Sequence, residues 1–114
     1  MAERTPAKSN TQKFREITDS LPDFTQQYFY SGTSGKAILT RLSYALDIRY
    51  FLEYAVNFFP CFHDKQVKEL SLEDIKQIKA TDIDDFLTWM DENQKLSERT
   101  RARRRSSVSG IFNI

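Results

Sequence analysis

The chain has few of the residues that punctuate or staple a fold: 3 Gly, 3 Pro and one Cys in 114 residues. A single cysteine, Cys61, excludes an internal disulfide framework and fits a reducing compartment. The lone histidine, His63, cannot complete a metal site with it, so a structural role is the expectation for both. Scarce Gly and Pro, with little alternating β-branched sequence, leave helices as the default. Nowhere do 18 apolar residues run together, and the N-terminal MAERTPAKSNTQKFRE holds no apolar stretch. Neither membrane insertion nor secretion is therefore signalled, and a cytoplasmic protein is expected. The motifs GxxxxGK[ST], GxGxxG, HExxH and GxSxG do not occur, and no cofactor is expected. Asp84 and Asp85 read as solvated helix-surface carboxylates.

What is present has globular proportions: 39% apolar and 29% charged, in a length that suits one domain. The formal charge of +1 hides a segregation. Residues 97–114 hold five arginines against Glu98, a net +4, whereas 21–96 hold eight Lys and Arg against twelve Asp and Glu, a net −4. A local patch sets the field a partner meets, so the asymmetry says more than the total.

Residues 1–19 lack apolar periodicity and are expected to form a flexible tail preceding a domain over 20–114. A helix is predicted from Ser20 as N-cap, with Leu21, Phe24 and Tyr28 on its apolar face, ending near Ser31 before Gly32 and Gly35. The segment KAILTRLSYALDIRYFLEYAVNFF carries the strongest helical signal. Ile38, Leu42, Ala45, Leu46, Ile48, Leu52, Ala55, Val56 and Phe59 fall on one broad face, with Thr40, Ser43, Asp47 and Tyr54 opposite. Pro60 ends it. Ser71 caps a short helix with Leu72, Ile75 and Ile78 inward. Thr81 is expected to cap the next, whose buried stripe is Ile83, Phe86, Leu87 and Met90. Phe51, Phe58, Phe59, Phe86 and Trp89 read as core. Ser97 caps the last helix.

That last helix opens on RTRARRRSSVSGIF, with five arginines near the positive end of its dipole, each unfavourable there by roughly 0.3–1 kcal/mol when exposed. Like charges at Arg99/Arg103 and Arg101/Arg105 add about 0.2–0.5 kcal/mol of repulsion per pair. Locally only Glu98 offsets them. Val108, Ile111 and Phe112 share one face; Arg103, Ser106 and Ser107 lie opposite, with Thr100 at the border. Arg101, Arg104 and Arg105 lie nearer the apolar stripe and should keep their guanidinium groups wet. Arginine forks interleaved with hydroxyls suit phosphate oxygens and guanine edges, which points to duplex DNA. The alternative is a small helical protein-interaction module whose basic helix meets an acidic partner.

Thr40, Tyr44, Asp47, Ile48 and Phe51 resemble the T-x-x-x-Y-x-x-D-L-x-x-F signature of the N-terminal core-binding, or SAM-like, domain of tyrosine recombinases and phage integrases. IKATDIDDFLTWM and LSERTRARRRSSVSGIF resemble its next two segments, in the same order, so that the resemblance extends over about residues 20–114. It implies an all-α, compact bundle of four to five helices that clamps one face of a recombination half-site. Lys36, Thr40, Arg41, Ser43 and Tyr44 on the long helix, and Thr100, Arg103, Arg104 and Ser107 on the last, would approach the major groove. The arginine run itself adds Arg99 and Arg101. The implied partners are double-stranded DNA, a C-terminal catalytic domain and other recombinase protomers, with the domain alone a monomer and no membrane involved. His63 is followed by Asp64, Lys65 and Gln66, so the family's catalytic H-x-x-R is missing, and Tyr28, Tyr30, Tyr44, Tyr50 and Tyr54 fall in the binding domain. A non-catalytic fragment of a larger integrase is the expectation. Departures are Arg105, where the family places an apolar residue, Gly110 within the last helix, and Asp47 on the side proposed to meet phosphate.

Overall fold

Phe51 marks the point where three helices meet. The computed structural model describes residues 8–33, 35–95 and 97–112. Its helices are α1 (Asn10–Asp19), α2 (Ile38–Phe58), α3 (Leu72–Ile75), α4 (Ala80–Gln94) and α5 (Glu98–Phe112). Short 3-10 turns at Asp23–Thr25, Pro60–Phe62 and Val67–Glu69 and a π-helical turn at Tyr28–Gly32 link them, and no strand occurs among the described residues. Around the fully buried Phe51 of α2, the ring of Phe86 on α4 lies 5.3 Å away and that of Phe112 on α5 5.7 Å away. The helical bundle expected from the sequence is present, with α2 as the post against which α1, α4 and α5 pack. No described helix is long and apolar enough to cross a membrane.

The first departure is α1. Of the tail expected over 1–19, residues 1–7 lie outside the described residues, but 10–19 are a capped, packed helix. The Ser9 hydroxyl accepts from the Gln12 N–H at 3.2 Å, and the Gln12 side chain accepts from the Ser9 N–H at 2.9 Å, closing a capping box. Phe14 and Ile17 are buried, and α1 lies along α2. Two apolar residues one turn apart leave too little periodicity to register, yet they suffice because α2 supplies the rest of the surface.

Ser20 consequently ends a helix where it was expected to begin one: its N–H bonds to Ile17 O at 3.0 Å. Pro22 opens a 3-10 turn instead, and the chain turns helical again only from residue 26 to Gly32. α2 runs to Phe58, and the Phe59 N–H still reaches Ala55 O before Pro60 stops the ladder. Ser71 caps α3 as expected, with a reciprocal box to Asp74. Leu72, expected inward, is exposed, because a four-residue helix offers the core only one side. On α4 the cap falls two residues earlier than Thr81: Lys79 is the N-cap, and its N–H bonds to Asp82 at 2.8 Å. Ile83, Phe86, Leu87 and Met90 are buried as the spacing requires.

Candidate nucleic-acid interface

The expected interface joins the N-terminal halves of α2 and α5. Side-chain pairs fix how these helices run. Arg103 bonds to Asp47, Arg104 lies over the Tyr50 ring, and Phe112 meets Phe51, so both helices advance in the same direction. Their first turns therefore lie at one end of the bundle. Ser97 caps α5, accepting from the Thr100 N–H at 3.2 Å.

At the joint sits Asp47, which a helical wheel places on the solvent side and which is 0% exposed. Arg103 donates to it through two nitrogens, Nε to Oδ2 at 3.1 Å and Nη2 to Oδ1 at 2.9 Å, a bidentate fork. The Ser107 hydroxyl donates to Oδ2 at 3.0 Å, and Arg104 Nε stands 3.3 Å from Oδ1. The hydrogen bonds that Arg103 donates to the Asp47 carboxylate hold its guanidinium above its ordinary pKa, against a smaller opposing effect of burial. Two guanidiniums thus share one carboxylate, and the cluster keeps a net positive charge. Arg104 is 8% exposed, and its Nε and Nη1 are buried without a hydrogen bond. Its guanidinium stacks instead over Tyr50, 5.2 Å from the ring centroid.

Two of the sequence-predicted contact residues are therefore not available at the surface. Arg104 and Ser107 are buried against Asp47 rather than presented to solvent. Arg41 is likewise turned inward: Nη2 donates to Phe29 O at 2.8 Å, Nε to the Thr33 hydroxyl at 3.2 Å, and its guanidinium stacks over the Phe14 ring. Arg101 pairs with Asp91 at 3.3 Å and Arg105 with Asp84, both carboxylates on α4 and both pairs about half exposed. Glu98 is the one acidic residue beside the arginines in sequence, but neutralising charges reach them from other helices, Asp47 from α2 and Asp84 and Asp91 from α4. Sequence-local reasoning misses Asp47, Asp84 and Asp91 because they lie 10 or more positions away along the chain from the arginines they meet and face them only after folding.

What remains toward solvent is a smaller set. Thr40 is exposed and Ser43 and Tyr44 are half-buried, with Lys36 Nζ 5.7 Å from the Tyr44 ring. Arg99 is exposed and forms no ion pair among the described residues, Thr100 is half-buried beside the Ser97 cap, and the outer edge of Arg103 is partly open. Among the described residues no group of three or more His, Cys, Asp and Glu could hold a metal ion. Cys61 and His63 are exposed rather than packed.

Residues 63–114 match the family described as phage integrase, N-terminal SAM-like domain. The matched segment takes in α3, α4 and α5 and starts after the Thr40–Phe51 motif of α2. No curated protein and no solved structure matches the chain. The arginine-bearing α5 and the carboxylate-bearing α4 that pairs with it both lie within this match, so that over residues 63–114 the chain is similar to the phage integrase N-terminal SAM-like domain family.

Proposed function

We propose that this chain is the non-catalytic DNA-binding part of a site-specific tyrosine recombinase, holding one face of a recombination half-site so that a separate catalytic domain can act on it. The observation that supports the reading is the pairing of α2 and α5 through Asp47 and Tyr50, with Lys36, Thr40 and Ser43 toward the N-terminal end of α2 and Arg99, Thr100 and the outer edge of Arg103 toward that of α5. Cations there, with short hydroxyls between them, suit phosphate oxygens. The Asp47 lock fixes the relative placement of the two helices, which a rigid groove-spanning surface needs.

Because the cluster at Asp47 is half-neutralised, the interface is weaker than five free arginines would give. Arg101 and Arg105 can be recruited from half-exposed pairs whose loss costs only about 0–1 kcal/mol each. Anisotropy titration of a labelled duplex across 20–200 mM salt should give a log–log slope of about −2 to −4, since each phosphate neutralised contributes roughly −0.9. Lys36→Ala and Arg99→Ala should each flatten the slope by about 1 without altering stability. A slope near zero, or one that ignores both substitutions, would refute the proposal.

A further inference from the structure

At the C-terminal end of α2, against α4, lies a cleft of about 500 Å³ lined by Tyr50, Glu53, Tyr54, Asn57, Phe58 and Trp89; its Tyr50 edge adjoins the α2–α5 joint, where Arg104 stacks on that ring. Phe58 and Trp89, which the sequence assigns to the core, are 55% and 36% exposed. Three rings are in mutual contact: Tyr54 with Phe58 at 4.9 Å, Tyr54 with Trp89 at 5.3 Å, and Phe58 with Trp89 at 5.6 Å. They leave aromatic surface open to solvent where a monomeric helix bundle would ordinarily cover it.

The charges around this cleft differ in kind from those at the α2–α5 end. α4 carries two acidic rows. Asp84 and Asp91 are used by Arg105 and Arg101 of α5. Asp85 and Glu92 lie at helical spacing on either side of Trp89, and neither meets a cation among the described residues. Glu53 borders the cleft from α2 and, among the described residues, pairs with Arg49 in a half-exposed i,i+4 bridge. Burial first, then the nearby carboxylates Asp85 and Asp82, raise the Tyr54 hydroxyl above its ordinary pKa, as expected of an anionic surrounding. A polyanion is repelled here, and a cation is attracted both by the carboxylates and by the negative faces of the rings.

We propose that this aromatic, acid-rimmed cleft is a docking site for a basic polypeptide segment, seating a Lys or Arg side chain against Trp89 and Tyr54 between Glu53, Asp85 and Glu92. The inference does not depend on DNA binding, since Lys36, Thr40, Ser43, Arg99, Thr100 and Arg103 are not among the residues that line the cleft.

Trp89 is the single tryptophan, so its emission reports on the cleft. The 114-residue chain is titrated with a fluorescein-labelled hexa-arginine peptide, read by anisotropy, and with the unlabelled peptide, read by Trp89 emission. Labelled hexaglutamate and a neutral Leu/Ser hexapeptide serve as comparisons. Hexa-arginine should bind saturably and shift Trp89 emission, while neither comparison peptide does. Asp85→Asn with Glu92→Gln should weaken it roughly three- to tenfold, and Phe58→Ala roughly threefold. All three side chains are largely exposed, and circular dichroism checks that the fold persists. Equal binding of the neutral peptide would make the cleft a plain apolar groove, and hexa-arginine affinity indifferent to the charge substitutions would place the peptide elsewhere; either overturns the proposal. Duplex affinity should be unchanged or slightly higher in the charge variants, so failure here and failure of the DNA reading are told apart.

Discussion

Replacing Asp47 by alanine should be among the most damaging single changes in this protein, and the reasoning can be followed atom by atom. The carboxylate is fully buried and accepts from both forks of Arg103 and from the Ser107 hydroxyl, with Arg104 at 3.3 Å. Its loss leaves two guanidiniums facing each other, one of them already lacking hydrogen bonds at Nε and Nη1. Removing one partner of a buried pair typically costs about 3–5 kcal/mol, because the remaining charge stays desolvated and unpaired. Against a total stability of roughly 5–15 kcal/mol this is a large share. At about 4 °C per kcal/mol for a domain of this size, the midpoint should fall by roughly 12–20 °C. Urea and thermal melts followed by circular dichroism and Trp89 emission measure it. The companion variant is Asp47→Leu with Arg103→Met and Arg104→Met. If the penalty comes from uncompensated charge, the apolar triple should regain most of the lost stability, since apolar replacements of whole buried clusters are often neutral or better. An Asp47→Ala loss below about 1 kcal/mol would refute the reasoning, as would a triple variant no more stable than the single one.

Other outcomes follow from the same contacts. Arg103→Ala with Arg104→Ala strands Asp47 in the interior and should destabilise the fold by about 3–5 kcal/mol, so any drop in DNA affinity must be read beside a melt. Phe14→Ala should cost about 3–5 kcal/mol in urea unfolding, whereas a mobile tail would show no effect. Ser9→Ala should cost about 1 kcal/mol by breaking the α1 box. The Asp74 carboxylate is held below its ordinary pKa, first by the hydrogen bond from Lys65 and then by the Ser71 N–H. Its contribution is therefore present above the unfolded-state pKa and is lost as pH falls through the lower folded-state value. Asp74→Asn should flatten the acid limb of a stability–pH profile, and an unchanged limb would count against the pairing.

The local chemistry of the chain determined a good deal by itself. The apolar period over Ile38–Phe58, the stop at Pro60, the cap at Ser71, the buried stripe of α4 and the cap at Ser97 all follow from interactions spanning four residues or fewer, and they appear where such interactions put them. The likeness of residues 63–114 to a known family is likewise carried by the sequence. Helix α1 escaped because Phe14 and Ile17 draw their stability from α2, not from their own neighbours. The exposed state of Phe58 and Trp89 was equally illegible: aromatic composition says that rings are available, and only the crossing of α2 and α4 decides which of them is covered. The arginine run shows the division most plainly. Its repulsion along the helix can be read from spacing, but its relief depends on Asp47, Asp84 and Asp91 arriving from α2 and α4. Electrostatic neutralisation acts through space, and only the folded chain sets those distances, turning an apparent free cationic face into a set of joints between helices with a few cations left over for a partner.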